Sequence, residues 1–255
     1  MKADIKYTIQ FLILAFGISW IFMFGLVLFA PEIDSPLNLP LSTLAVFGPG
    51  IAALIMSLKK MSFKEYLKST FTFKQRLSCY LVLIIWAVWR YFVCMAIGVR
   101  VEGSSLILPL LLIPMCILTG GAEEFGWRFL QPQMEKKMHS VTAVLLFSVI
   151  WVAWHLPFWL VPWDWRDSAF DLFQMFGLCM TSAFSFAVIY KLTGSVLLCV
   201  LAHAWSNSIT NTFMPTGDIN TIVGFLIEAI IGMIILILCE KGIIKSVEMK
   251  NTKIL

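Results

Sequence analysis

Seven ionisable side chains fall inside otherwise apolar stretches of this sequence: Arg90, Glu123, Glu124, Arg128, His155, His203 and Glu228. Such groups cost at least about 2.5 kcal/mol at the centre of a bilayer, so each marks a functional position by default. The richest segment is Gly120-Gly121-Ala122-Glu123-Glu124-Phe125-Gly126-Trp127-Arg128. Glu124 and Arg128 stand four apart, share a helix face and can form an ion pair. Glu123 is turned about 100° from its neighbour. One carboxylate is thereby neutralised structurally while the next stays available for chemistry. Trp151 and His155 share a face in a later stretch, and His203 and Asn207 repeat the spacing with two groups able to donate hydrogen bonds. Each feature also has a plain structural reading. The acids could mark the start of a loop, His155 could bond a carbonyl and fill space, and Asn207 could bind one helix to another.

The elements that must position these groups are helices in a membrane. Hydrophobic residues make up 60% of the 255 and charged ones only 13%, against norms of roughly 45–50% and about 25%. Mean hydropathy is +0.88. Together these exclude a soluble globular protein, a disordered chain and a nucleic-acid binder. Six cysteines are scattered through apolar runs without a C-x-x-C pair, so neither a disulfide framework nor a cysteine zinc site is indicated. A span needs about 20 apolar residues, and eight stretches offer this: 8–30, 41–58, 79–98, 105–134, 141–162, 169–190, 195–213 and 221–239. The first reads as a retained anchor rather than a signal peptide. Residues 1–255 are therefore expected to form one integral-membrane domain, an all-α polytopic bundle with the motifs on about 120–210.

Cytoplasmic loops retain lysine and arginine. With the N-terminus inside, fifteen basic residues fall on inner segments: Lys2, Lys6, six from Lys59 to Arg76, Lys136, Lys137, Lys191 and four from Lys241 to Lys253. Only Arg100 and Arg166 fall on outer ones. Both termini are expected in the cytoplasm, and an arrangement of this size suits a bacterial plasma membrane. Trp159, Trp163 and Trp165 sit where the fifth span should leave the bilayer. Depth tests whether the polar groups can meet: at 1.5 Å per residue, His203 lies about 12 Å and His155 about 20 Å from the inner ends of their spans. Glu123 is level with them only if the fourth helix runs on through Arg128 to about Met134.

These motifs resemble the CAAX protease and bacteriocin-processing family of intramembrane proteases, which includes the Ras-converting CAAX endopeptidase type. Its pattern is E-E-x-x-x-R, an aromatic-x-x-x-H and H-x-x-x-N. This chain has Glu123-Glu124-x-x-x-Arg128, Trp151-x-x-x-His155 and His203-x-x-x-Asn207, in that order across residues 123–207. The resemblance implies hydrolysis of a peptide bond by water held between Glu123 and His155. His203 and Asn207 would donate to the oxyanion, and Glu124 and Arg128 would support the site. Two departures stand out: Trp151 replaces a typical phenylalanine, and Phe129 follows the arginine where glycine is expected. Neither is expected to touch a residue that moves protons. Members are often described as metalloproteases, and Glu123, His155 and His203 would make a zinc set. That assignment leaves only Glu124 as base, which is committed to Arg128, so metal-free catalysis is favoured and zinc is the alternative.

The implied activity is an endopeptidase acting on a peptide or protein at the membrane, with or without a prenyl group, near the cytoplasmic half of the bilayer. The alternative is a non-catalytic bacteriocin-immunity or scaffold protein. A carrier would also hold mid-membrane carboxylates, but the repeated halves common in carriers are not found. Arg90 and Glu228 are expected to pair between the third and eighth spans or to line a cavity, without a catalytic role. Oligomeric state is left open.

Overall fold

The computed structural model describes residues 2–30, 32–161, 169–216 and 218–247. Trp163, Trp165, Arg166, Lys250 and Lys253 lie outside the described residues, as does the side chain of Lys2. Among the described residues there are ten α-helices: α1 (Lys2–Phe29), α2 (Asn38–Ser57), α3 (Phe63–Thr70), α4 (Leu77–Ile97), α5 (Leu108–Thr119), α6 (Glu124–Glu135), α7 (Ser140–His155), α8 (Ala169–Thr193), α9 (Val196–Thr210) and α10 (Ile219–Glu240). Two three-residue strands, β1 (Gly98–Arg100) and β2 (Phe213–Pro215), pair antiparallel with Val99 opposite Met214. Trp159 sits in the 3-10 turn Leu156–Leu160 that follows α7.

Each predicted apolar stretch is mainly helical among the described residues, and with six helices long and apolar enough to span a bilayer the chain is an integral, multi-pass all-α membrane protein. Among the described residues six helices are long and apolar enough to cross a bilayer: α1, α2, α4, α7 with its 3-10 turn, α8 and α10. Two of the eight expected spans differ from simple rods. The fourth is a pair, α5 and α6, bent by 45°. The seventh, α9, has only 15 residues, about 22 Å at 1.5 Å each, and falls short of a hydrocarbon core of about 30 Å.

The outside of the bundle is apolar and much of its polarity is inside, as a lipid solvent requires. Ile13, Ile85, Leu111 and Ile234 are exposed, whereas on α4 the buried residues are Cys79, Arg90 and Cys94. Helices in lipid gain nothing from hiding apolar surface and are held instead by close packing and polar contacts. The α1–α2 contact shows this: Ser19 donates its hydroxyl to the Ala45 carbonyl at 2.7 Å. A Cβ on Gly48 would lie 2.0 Å from the Ser19 oxygen. Arg90 and Glu228 form a buried ion pair between α4 and α10, and Ser185 of α8 donates to the other Glu228 oxygen at 3.3 Å. The pairing expectation is the one realised.

The break between α5 and α6 corrects the expectation of one continuous helix. Gly120 leaves helical geometry with φ −171° and ψ −54°. A Cβ there would sit 2.0 Å from Asn207 Nδ2, and one on Gly121 would sit 2.7 Å from the Val200 carbonyl oxygen. Only a glycine pair lets α9 approach so closely, and the chain answers with a single 3-10 turn, Gly121–Glu123, before α6 begins. Gly126 then packs on the backbone of Pro49, 2.2 Å from where its Cβ would be. α6 is thus wedged between α2 and α9.

All described lysines, together with Arg76, lie at one end of the bundle. That end is tied together by contacts. Lys60 covers the Tyr7 ring at 5.0 Å, the Ser140 amide donates to Glu240, and the Val247 amide donates to the Lys191 carbonyl at 3.0 Å. The other end carries β1 and β2 and, among described residues, Arg100 as its basic side chain.

Candidate active site

Three elements carry the polar groups of the interior: the break and first turn of α6, the C-terminus of α7 and the middle of α9. Glu123 is in the 3-10 turn, Glu124 opens α6, and Arg128 follows one turn later. The Arg128 Nε lies 2.7 Å from Glu124 Oε2, a close ion pair that is not aligned as a hydrogen bond. Arg128 also donates to Gln131 and lies over the Phe147 ring at 5.6 Å. The other Glu124 oxygen faces His203 Nδ1 at 3.2 Å. Glu124 therefore joins α6 to α9 as well as meeting Arg128.

Glu123 points elsewhere. Its Oε2 accepts two indole N–H bonds, from Trp127 at 3.1 Å and from Trp151 at 2.7 Å. Its Oε1 has no hydrogen bond among the described residues. The break makes this possible: with helix geometry reset at Glu124, Trp127 lies one turn above Glu123 while α7 brings Trp151 alongside. The fourth span does run on through Arg128 past Met134, as expected, but as a second helix after a break rather than as one continuous helix. α6 spans about 18 Å from Glu124 to the basic end, and Glu123 is level with both histidines.

His155 is the last residue of α7, where its Nδ1 donates to the Trp151 carbonyl at 2.8 Å. In the neutral ring Nε2 then holds the lone pair. His203 stacks on Phe186 with centroids 5.2 Å apart and meets the Trp151 edge at 5.4 Å. Its Nε2 and the Asn207 amide both flank Gly120, the position that opens the break.

Glu123, His155, His203 and Asn207 all line one cavity of about 410 Å³. Glu124 and Arg128 stand behind it. Around these four the wall is largely apolar, with Val46, Phe158, Met175 and Leu178 among its residues. Arg90 and Glu228 do not contribute to it. No three His, Cys, Asp or Glu side chains among the described residues are grouped to hold one metal ion. Both histidine Nδ1 atoms are engaged, that of His155 by the Trp151 carbonyl and that of His203 by the Glu124 carboxylate.

The residues missed by spacing alone are Trp127 and Trp151 in their role as donors. Trp151, set down as a departure remote from proton transfer, in fact touches Glu123 directly, and a phenylalanine there could not. The signal was present in weak form: a buried indole N–H has to find an acceptor, and Trp127 stands four residues after Glu123. Its target could not be assigned without knowing which helix lies opposite.

Residues 105–209 match the protein family described as Type II CAAX prenyl endopeptidase Rce1-like. A comparison with curated proteins gives no match.

Proposed function

We propose, from a chain whose residues 105–209 belong to the CAAX protease family, that this protein is an intramembrane endopeptidase with Glu123 as its general base. The observation that carries the reading is the asymmetry of that carboxylate. Two indoles hold Oε2, and Oε1 is left toward a cavity shared with His155, His203 and Asn207.

In the proposed reaction a water between Glu123 Oε1 and His155 Nε2 gives a proton to the carboxylate as its oxygen bonds to the scissile carbonyl carbon. The carbonyl electron pair moves onto oxygen, which Asn207 Nδ2 stabilises by donation. With Nδ1–H given to Glu124, His203 donates through Nε2 only when the ring carries both protons. Collapse restores the carbonyl and breaks the C–N bond, and the proton held by Glu123 passes to the leaving amine. The largely apolar wall lowers the polarity around the reacting bond, so that fixed donors count for more against the developing charge. The substrate is a membrane-associated peptide or protein segment, and the prenyl specificity in the family description makes a prenylated tail the first to try.

The test is turnover of quenched-fluorescent peptides, with and without a prenyl group, by purified protein in detergent. Cleavage is expected to persist with a metal chelator, because Glu123 already supplies the base. Activity lost on chelation and restored by zinc would transfer water activation to a metal. Trp151→Phe keeps the ring but removes a donor to a charged acceptor, worth about 1.5–3 kcal/mol. The expected result is a fall in kcat of about 10- to 100-fold with KM little changed, since the bond orients the base rather than the peptide. A variant with wild-type kcat would show that the indole contributes packing alone.

A further inference from the structure

The cavity is placed unevenly along the bundle. The lining residues of α2, α7, α8, α9 and α10 fall in or about the half away from the basic end, and α5 contributes Thr119, its last residue before the break. On α8 the lining runs from Gln174 to Ser182, and even Ser182 is nine residues, about 13 Å, from Lys191. On α10 Phe225 lies about 22 Å before Glu240. His155 is at the far end of α7, and Phe158 lies beyond it. From Asn207 the wall continues through Thr210 to Met214 and Pro215 of β2, at the end opposite the lysines. No lining residue comes from 58–76, 136–140 or 191–195.

Between the catalytic groups and the basic end runs a largely buried polar chain. Arg128 donates to Gln131, Gln131 Nε2 donates to Glu135 at 2.6 Å, Glu135 pairs with Lys191, and Lys191 reaches the Ser140 hydroxyl at 3.3 Å. Arg128 and Gln131 are almost fully buried. A peptide would have to break several buried charge-assisted bonds to pass this way.

A second cavity of about 300 Å³ adjoins the first between α8 and α10 and shares Gln174 and Phe225 with it. Its remaining wall includes Phe173, Met180 and Leu226. Phe173 and Leu226 also face outward, 59% and 45% exposed. An apolar cavity thus lies on the bilayer side of the site in the same half of the bundle, with Gln174 and Phe225 as the wall between the two.

Basic loops are retained on the cytoplasmic side, so the end beyond the polar chain is the cytoplasmic one. We propose that the substrate reaches Glu123 from the non-cytoplasmic side, with the apolar flank of the peptide seated between α8 and α10. The inference rests on the protease reading of the same cavity and reverses the expectation of cleavage near the cytoplasmic half. The substrate class it selects is a peptide with an apolar stretch whose scissile bond faces outward, such as a segment already exported.

The experiment uses the full chain in sealed membrane vesicles with the basic end inside, and a membrane-impermeant maleimide added outside. Ser206→Cys lies in the cavity wall, Lys60→Cys lies in the basic loops, and wild type reports the six native cysteines. Ser206→Cys is expected to label in intact vesicles, while Lys60→Cys stays unlabelled until the vesicles are opened. Labelling of Ser206→Cys only after opening, or its failure to label in either state, would overturn the proposal, since a route for a peptide must admit a smaller reagent. Labelling needs no turnover, so failure of the access route and failure of the protease reading appear in separate measurements.

Discussion

Glu123→Gln is expected to reduce peptide turnover by about 10²- to 10⁴-fold, the range for losing a positioned general base, while leaving the protein folded. Glutamine has the shape of glutamate, and its carbonyl oxygen can accept the two indole bonds that Oε2 now accepts. What it cannot do is take a proton from water. The variant should therefore purify in the same yield and unfold at the same temperature in detergent as wild type, with kcat alone collapsing. Asn207→Ala removes the amide donor to the oxyanion and is expected to cost about 10²- to 10³-fold in kcat. A Glu123→Gln protein that cleaves at the wild-type rate would remove Glu123 from the chemistry and with it the proposed mechanism.

The second large effect concerns stability. Arg128→Met is expected to destabilise the bundle by about 3–5 kcal/mol, the cost of leaving a buried charge without its partner. Glu124 is fully buried, and its other contacts would not replace the guanidinium. Changing both members, Glu124→Gln with Arg128→Met, removes the charge and its need together, and most of the lost stability should return. Activity is expected to return only in part, because a neutral amide accepts the His203 Nδ1–H more weakly than the carboxylate now at 3.2 Å. Denaturant unfolding in detergent measures the first part and peptide turnover the second. A double variant destabilised by the sum of the Glu124→Gln and Arg128→Met single variants would mean that the pair is not energetically coupled.

Much of this protein could be read along the chain, because a membrane helix states its membership locally. About 20 apolar residues suffice for a span, and all eight predicted stretches are mainly helical among the described residues. The Glu124–Arg128 pair followed from i,i+4 spacing, which depends only on helix geometry, and the three motifs named the four residues that line the cavity. Contacts between helices were not legible in the same way. Nothing near Gly120 and Gly121 announces that Asn207 and Val200 will lie within 3 Å of where their Cβ atoms would be, and so the break in the fourth span was read as continuous helix. Nothing near Trp151 says that its N–H will meet a carboxylate 28 residues earlier. The lysines told which end is basic, but the direction in which the cavity opens depends on residues of α7, α8, α9, α10 and β2 meeting in space. Helix formation and membrane partition are set by neighbours within a turn or two, whereas the distance between two helices is set by which side chains, or which missing ones, happen to face each other across the bundle.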